Sequence, residues 1–273
     1  MDQRERLTYL VEKFKEDSVR YCTMETPKDM EGKKQLLRSL MNIRLPKAMA
    51  DEVLQVQDEY LKERIRENGI VDLGMIPTIA FQGSCHAFAD RLSIWQGDIT
   101  RLSVDAIVNA ANSQMLGCFV PMHTCIDNCI HTFAGVQLRN ECDRQMNGLR
   151  AKYGHDYEQP TAVPMLTGGY NLPAKNVIHI VGPIVSSGLT EALRNDLARC
   201  YRNTLDLCLA NGIRSVAFCC ISTGVFHFPN REAAKIAVRT VTEWLTDHPA
   251  AMERVIFNVF KDEDKHYYEQ ELF

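Results

Sequence analysis

The 273-residue sequence predicts an α/β domain, with a largely parallel sheet between helix layers, carried behind an all-helical N-terminal extension. Two patterns support this. From about residue 91, short apolar runs alternate with segments of helical period, as strand–helix–strand units do. Before about residue 80, the apolar residues recur at helical spacing and strand-like alternation is absent. The length agrees, since it holds one domain of about 180 residues plus a smaller unit.

In the extension, Leu7, Leu10, Val11 and Phe14 mark one helical face. Leu36, Leu37, Leu40 and Met41 mark a second, which stops before Pro46. Val53, Val56, Tyr60, Leu61 and Ile65 mark a third, which stops at Gly69. Amphipathic helices need a surface to pack against, so this unit reads either as structural or as a wall or lid over a site in the main domain. In that domain Leu92–Trp95 and Ala106–Val108 read as short buried strands. Ile126–Met146 reads as one helix, with Ile126, Ile130, Phe133, Ala134 and Leu138 on one face. Val177–Val181 reads as a strand, Leu189–Ala210 as a helix and Ser215–Ile221 as a strand. Glu232–Leu245 reads as a helix, Val255–Phe260 as the last strand and Lys261–Leu272 as the last helix. Ligands of such sheets bind at loops beyond the carboxyl ends of strands, so chemistry is expected there.

Composition narrows the function. A net charge of −4 argues against a broad nucleic-acid surface, which needs clustered Lys and Arg. It does not argue against a small anion, which backbone N–H groups can bind without net charge. The N-terminus, MDQRERLTYLVEKFKED, has no uninterrupted apolar segment and does not read as a signal peptide. No stretch approaches the roughly 18 apolar residues of a membrane span, so a cytosolic chain is expected. In that reducing compartment the ten cysteines are not a disulfide framework. Most read as small buried hydrophobes, and a subset is free to bind metal.

Four loops carry chemistry. Gln96-Gly97-Asp98-Ile99-Thr100 follows a strand and reads as a turn with a helix cap, or as a ligand loop. Val108-Asn109-Ala110-Ala111-Asn112 ends a strand, and its small residues let a ligand approach while the amides face sugar hydroxyls. The Ile221–Pro229 loop holds Ser222, Thr223 and Gly224, a composition that lets N–H groups converge on a phosphate. Its Phe226 is placed to stack on a sugar or ring. The fourth loop runs Gly117-Cys118-Phe119-Val120-Pro121-Met122-His123-Thr124-Cys125 into a helix that begins Ile126-Asp127-Asn128. Thiolate and imidazole are zinc ligands, and three of them (Cys118, His123 and Cys125) leave a fourth position for water or substrate. Cys129 and His131 are the two residues that would close the site instead. Asp127 in the first turn reads as dipole compensation, or beside a metal as a base. Asn128 is open in the same way.

Together these segments resemble the macrodomain family. The resemblance covers about residues 91–273 and rests on Gly97-Asp98-Ile99-Thr100, Asn109-Ala110-Ala111-Asn112, Ile126–His131 with Ala134-Gly135, Val177–Pro183 and Ser222–Phe226, in the family's order. It implies a three-layer αβα fold with a mixed, mostly parallel central sheet over residues 81–273, after an extension of residues 1–80. It implies ADP-ribose as ligand, with Asp98 accepting from the adenine amino group and Ile99 beside it. Asn112 would hold the distal ribose. Ser222, Thr223, Gly224, Val225 and Phe226 would wrap the diphosphate, and Cys125, Ile126, Asp127 and Asn128 would complete the substrate site. The common hydrolytic macrodomains have a run of glycines after the second asparagine, where this sequence has Leu116–Cys125. That replacement is similar to the zinc-dependent subfamily, found mainly in microbes, as is the segment Leu36–Arg44.

The subfamily implies one zinc ion per chain on Cys118, His123 and Cys125. It also implies metal-assisted hydrolysis of mono-ADP-ribose from protein side chains, carboxylate-linked, with Asn112 and Asp127 in catalytic roles. In some bacteria it is associated with a sirtuin-type ADP-ribosyltransferase and a lipoylated carrier protein. Two other classes stay open: a reader that binds ADP-ribosylated partners without cleaving them, and a zinc-stabilised interaction domain closed by Cys129. A His/Cys/Cys nucleic-acid deaminase is not supported, because its H-x-E and P-C-x-x-C segments are missing.

Overall fold

The computed structural model describes all 273 residues. Helix α1 (Gln3–Glu16) starts at Asp2, whose carboxylate accepts the Arg4 and Glu5 N–H groups while Glu5 reaches back to the Asp2 N–H. Helix α2 (Met30–Ile43) is capped by Asp29, and α3 (Asp51–Asn68) ends at Gly69. Their apolar faces close on one another in a core of 12 buried residues, eleven between Leu7 and Leu61 and the twelfth Val136 of the main domain. Each fully buried Leu, Val or Phe contributes about 1.5–3 kcal/mol.

The chain continues through β1 (Val71–Asp72), β2 (Leu92–Gln96), β3 (Leu102–Ser103) and β4 (Ala106–Ala111). Then follow α4 (Ile126–Ala134), α5 (Val136–Tyr153), β5 (Met165–Gly168), β6 (Asn176–Val181) and α6 (Glu191–Ala210). The last elements are β7 (Ser215–Phe218), α7 (Asn230–Asp247), β8 (Arg254–Val259) and α8 (Asp262–Leu272). Six strands form one sheet in the order β2-β8-β7-β4-β6-β5, parallel except for β5 on β6. The mixed, mostly parallel sheet matches the expectation. Its strands are apolar runs such as Ala106–Val108 and Val177–Ile178, without exposure on either face, as sheets covered by helices on both sides require. No helix is long and apolar enough to cross a membrane.

Several expected boundaries change. The helix expected over Ile126–Met146 is two helices, α4 and α5. Gly135 breaks it with φ +93°, and a Cβ there would meet Gln57 Nε2 at 2.7 Å and Asn171 Nδ2 at 3.0 Å. Gln57 of α3 accepts the Val136 N–H at 3.2 Å, so the extension helps to start α5. The expected strand Ser215–Ile221 ends at Phe218, which frees Cys219–Ile221 for the loop. Edge strand β5 and the two-residue ladder β1–β3 were not expected; β1 lies in the segment read as purely helical and pairs with β3 of the main domain.

Because β2, β4, β7 and β8 run parallel, their carboxyl ends share one edge. The loops after β2, β4 and β7 therefore meet there, together with the N-terminus of α4.

Candidate functional site

Asp127 stands in the first turn of α4 and is 5% exposed. Asn109, at the end of β4, donates from Nδ2 to its Oδ1 at 2.7 Å, and Asn112 Nδ2 lies 3.5 Å from its Oδ2. The asparagine pair thus brackets the carboxylate. Burial raises its pKa from 3.8 to about 6, opposed by the Asn109 bond and the charge of Arg139. It is mostly ionised at neutral pH and poised to take a proton.

Asn109 is held in turn. Its second amide proton faces His179 Nδ1 at 3.0 Å, so that nitrogen is the acceptor and Nε2 carries the proton. Nε2 lies 2.9 Å from Thr167 Oγ1. Burial lowers the pKa of His179 to about 3 and that of His131 well below its usual value, so both rings are neutral. His131 does not join the loop thiols. It belongs to a second, fully buried group with Cys142 and His179, and its Nε2 lies 3.6 Å from Asp127.

The expected metal ligands do come together. Cys118 Sγ, His123 Nδ1 or Nε2 and Cys125 Sγ lie within 4.8 Å of one another, and Cys118 Sγ is 3.7 Å from His123 Nδ1. All three are half-buried on the loop entering α4. Cys129 stays outside the group, its Sγ 3.7 Å from Arg38. Two thiols and one imidazole suit zinc with an open coordination position. Burial pushes the Cys125 thiol up to about 12, so its thiolate needs a compensating cation. Gly117, at φ +80°, starts this loop, and a Cβ there would meet the His131 ring at 2.7 Å.

The Ser222–Phe226 loop leaves backbone N–H groups free, as binding of an anion requires. Thr223 donates its N–H to Cys220, and Phe228 donates back to the Ser222 carbonyl. The N–H groups of Ser222, Gly224, Val225 and Phe226 carry no hydrogen bond within the fold. Ser222 sits at φ +65°, an uncommon conformation for a residue with a Cβ, and its buried Oγ is also unpartnered. Phe226 is half-buried at the end of this loop. Asp98 caps the short turn Ile99–Arg101, accepting the Thr100 N–H and hydroxyl on Oδ1 and leaving Oδ2 for an outside donor. Ile99 is buried and Ile126 half-buried beneath the loops. Asn128 is wholly buried, and its side-chain amide braces the Cys118–Cys125 loop, donating to the Cys118 and Val120 carbonyls.

Sequence reasoning missed three supports. Arg38 and Asn42 of α2 reach the Cys118–Cys125 loop, and Arg139 of α5 donates to the carbonyls of Leu116, Met41 and Arg44 at 2.8, 3.0 and 2.6 Å. The Arg139 guanidinium also lies over the Phe119 ring at 4.4 Å, and burial lowers its pKa to about 10.

The comparisons agree with this geometry. The family profile described as Macro domain matches residues 108–237. A Trypanosoma brucei macrodomain solved in complex with ADP-ribose superposes with a TM-score of 0.64 at 28% identity, covering 85% of this chain and 94% of that one. The fold is therefore a macrodomain. A relative from Treponema medium, named protein-ADP-ribose hydrolase, is 47% identical over 268 residues, 98% of each chain. One of the same name from Staphylococcus aureus is 41% identical over 266 residues, covering 97% of this chain and 94% of its own. The chain belongs to the macrodomain family.

Proposed function

We propose that this chain is a zinc-dependent hydrolase that removes mono-ADP-ribose from protein side chains, acting on carboxylate-linked adducts. The relatives named protein-ADP-ribose hydrolase support the hydrolase class. The observation that carries the finer reading is one juxtaposition. A three-ligand Cys/His/Cys group and a buried carboxylate of raised pKa stand at the same sheet edge as a loop of unpaired N–H groups.

The unpaired N–H groups of Ser222–Phe226 bind the diphosphate, and Asp98 Oδ2 accepts from the adenine amino group with Ile99 beneath it. Phe226 closes on the distal ribose, and Asn112 orients it. This places the anomeric carbon toward Asp127. The bond that breaks joins that carbon to the side-chain carboxylate oxygen, which leaves with the electron pair. A carboxylate is a stable leaving group, so positioning and activation of water are the main tasks. Asp127 takes the proton of the attacking water on a carboxylate oxygen, held in line by Asn109. A zinc ion on Cys118, His123 and Cys125 would supply a Lewis acid beside the ribose. The products are free ADP-ribose and the unmodified side chain. A reader would need none of the Asp127 bracket, and the stand-off of Cys129 gives a closed four-ligand site no support.

The acceptor is a protein, for which a lipoylated carrier is one candidate, and the ten free thiols suit a cytosolic setting. Incubation with a carboxylate-linked mono-ADP-ribosylated protein, with and without chelator, tests the reading. Release that stops on metal removal and returns with zinc is expected. Release unaffected by complete metal loss would refute the zinc role, and absence of release with tight ADP-ribose binding would refute the hydrolase.

A further inference from the structure

We propose that Arg38 of α2 is a positioning residue for the metal-binding loop, so that docking of the N-terminal helices sets the placement of Cys118 and His123 relative to Cys125. This rests on the zinc reading above and gives the extension a function. Arg38 Nη2 donates to the His123 carbonyl at 2.8 Å and to Asn128 Oδ1 at 3.0 Å. Asn128 in turn donates from Nδ2 to the Cys118 carbonyl at 3.3 Å and from its backbone N–H to Cys125 Sγ at 3.4 Å. Arg38 therefore holds His123 directly and Cys118 through the side-chain amide that it orients, while Cys125 is fixed separately as the N-cap of α4.

One turn further along α2, Asn42 supplies a second grip. It is 1% exposed, accepts the Met122 N–H on Oδ1 at 3.1 Å and donates to Thr132 Oγ1 at 2.9 Å. Met122 precedes ligand His123 and sits at φ +59°, a conformation that persists in a residue with a Cβ only where its surroundings impose it. The loop has no strand or helix pairing of its own between Cys118 and Thr124. Ordering it costs backbone entropy, and contacts from α2 remove that cost from the metal-binding step. The extension acts through loop geometry, with no part in the chemistry.

The test uses the full chain with Arg38→Ala, Arg38→Lys and a control, Arg6→Ala, which breaks the Arg6–Glu59 ion pair between α1 and α3. Zinc affinity is read by competition with a chromophoric chelator, and amide hydrogen exchange of the loop is read on zinc-free protein. Arg38→Ala should weaken zinc by about tenfold or more, the scale for groups that orient ligands, and speed exchange across residues 118–125. Arg38→Lys keeps the charge and several donor protons but not the reach and fixed planar direction of Nη2, from which both bonds come, and should fall between it and the wild type. Should Arg38→Ala fail to fold, Arg38→Lys decides alone by the same two assays. Native zinc affinity with native exchange in these variants would overturn the proposal, as would an equal loss in Arg6→Ala. A wild type that takes up no zinc would remove the metal reading, and loop exchange would then judge the role of Arg38 by itself.

Discussion

Replacing Asp127 with asparagine separates its electrostatic state from its chemistry. The carboxylate is buried, and its pKa is raised from 3.8 to about 6. The folded protein therefore binds more protons than the unfolded chain across that interval. Stability contributed by Asp127 is present in acid and is lost as pH rises through the window. The rise corresponds to about 3 kcal/mol, of which about half falls between about pH 5 and 8. Asparagine does not titrate, so the variant should gain on the wild type by that amount over the range. His131 and His179, buried and neutral in both proteins, largely cancel in the comparison. Urea unfolding of zinc-free wild type and Asp127→Asn at steps across the range measures the gap. ADP-ribose binding should stay within about threefold while turnover falls by about 10²-fold or more, the scale of general-base loss. A gap that does not change with pH would refute the buried-carboxylate argument, and retained turnover would remove Asp127 from the mechanism.

Other perturbations address neighbouring parts of the site. Cys125→Ala should abolish zinc binding, so a chelator that lowers the melting temperature of the wild type should leave this variant unmoved; an equal shift in both would argue against a site on Cys125. Gly117→Ala should cost about 2 kcal/mol or more, because it forces φ +80° on alanine and drives a methyl against His131; an unchanged urea midpoint would contradict that packing. Arg139→Ala leaves three carbonyls without their charged donor and should destabilise by about 3 kcal/mol or more, read as a shifted unfolding midpoint with unchanged slope. Asn109→Ala should lower kcat far more than it changes ADP-ribose affinity, and a purely affinity-based loss would place Asn109 elsewhere than behind Asp127.

The parts of the fold legible in sequence are those set by local pattern. The change from helical period to alternating strands and helices is visible because each buried strand, such as Val177–Val181, is a short apolar run with its own flanking breaks. The loop residues are legible for a related reason: Cys118, His123 and Cys125 are close in sequence, so one loop brings them together. The break between α4 and α5 was hidden because a single glycine inside a helical pattern is tolerated. What makes Gly135 a break is the packing of Gln57 and Asn171 against it, from segments about 80 and 35 residues away. Strand β5 was hidden because four residues running into Gly168-Gly169 give no period to read, and only its pairing with β6 defines it.

The supports of the site were hidden more deeply. Arg38, Asn42 and Arg139 act on backbone carbonyls or N–H groups about 80 to 100 residues away, and a backbone group leaves no mark in sequence. One signal was present. Arg38 and Asn42 stand four apart in Leu36–Arg44, next to the apolar face of Leu37, Leu40 and Met41, and so share a face of α2. A solvent-facing pair would gain nothing from a buried asparagine, which is costly unless its amide is fully bonded. Asn42 is 1% exposed and bonded at both ends, to Met122 of the Cys118–Cys125 loop and to Thr132 of α4. The second face of α2 is thus a polar interface, and the extension docks on the main domain in part through the hydrogen bonds that shape the loop. Mutations that loosen that docking should therefore weaken metal affinity before they unfold the sheet, since the 56-residue main core draws on no residue before Ile65.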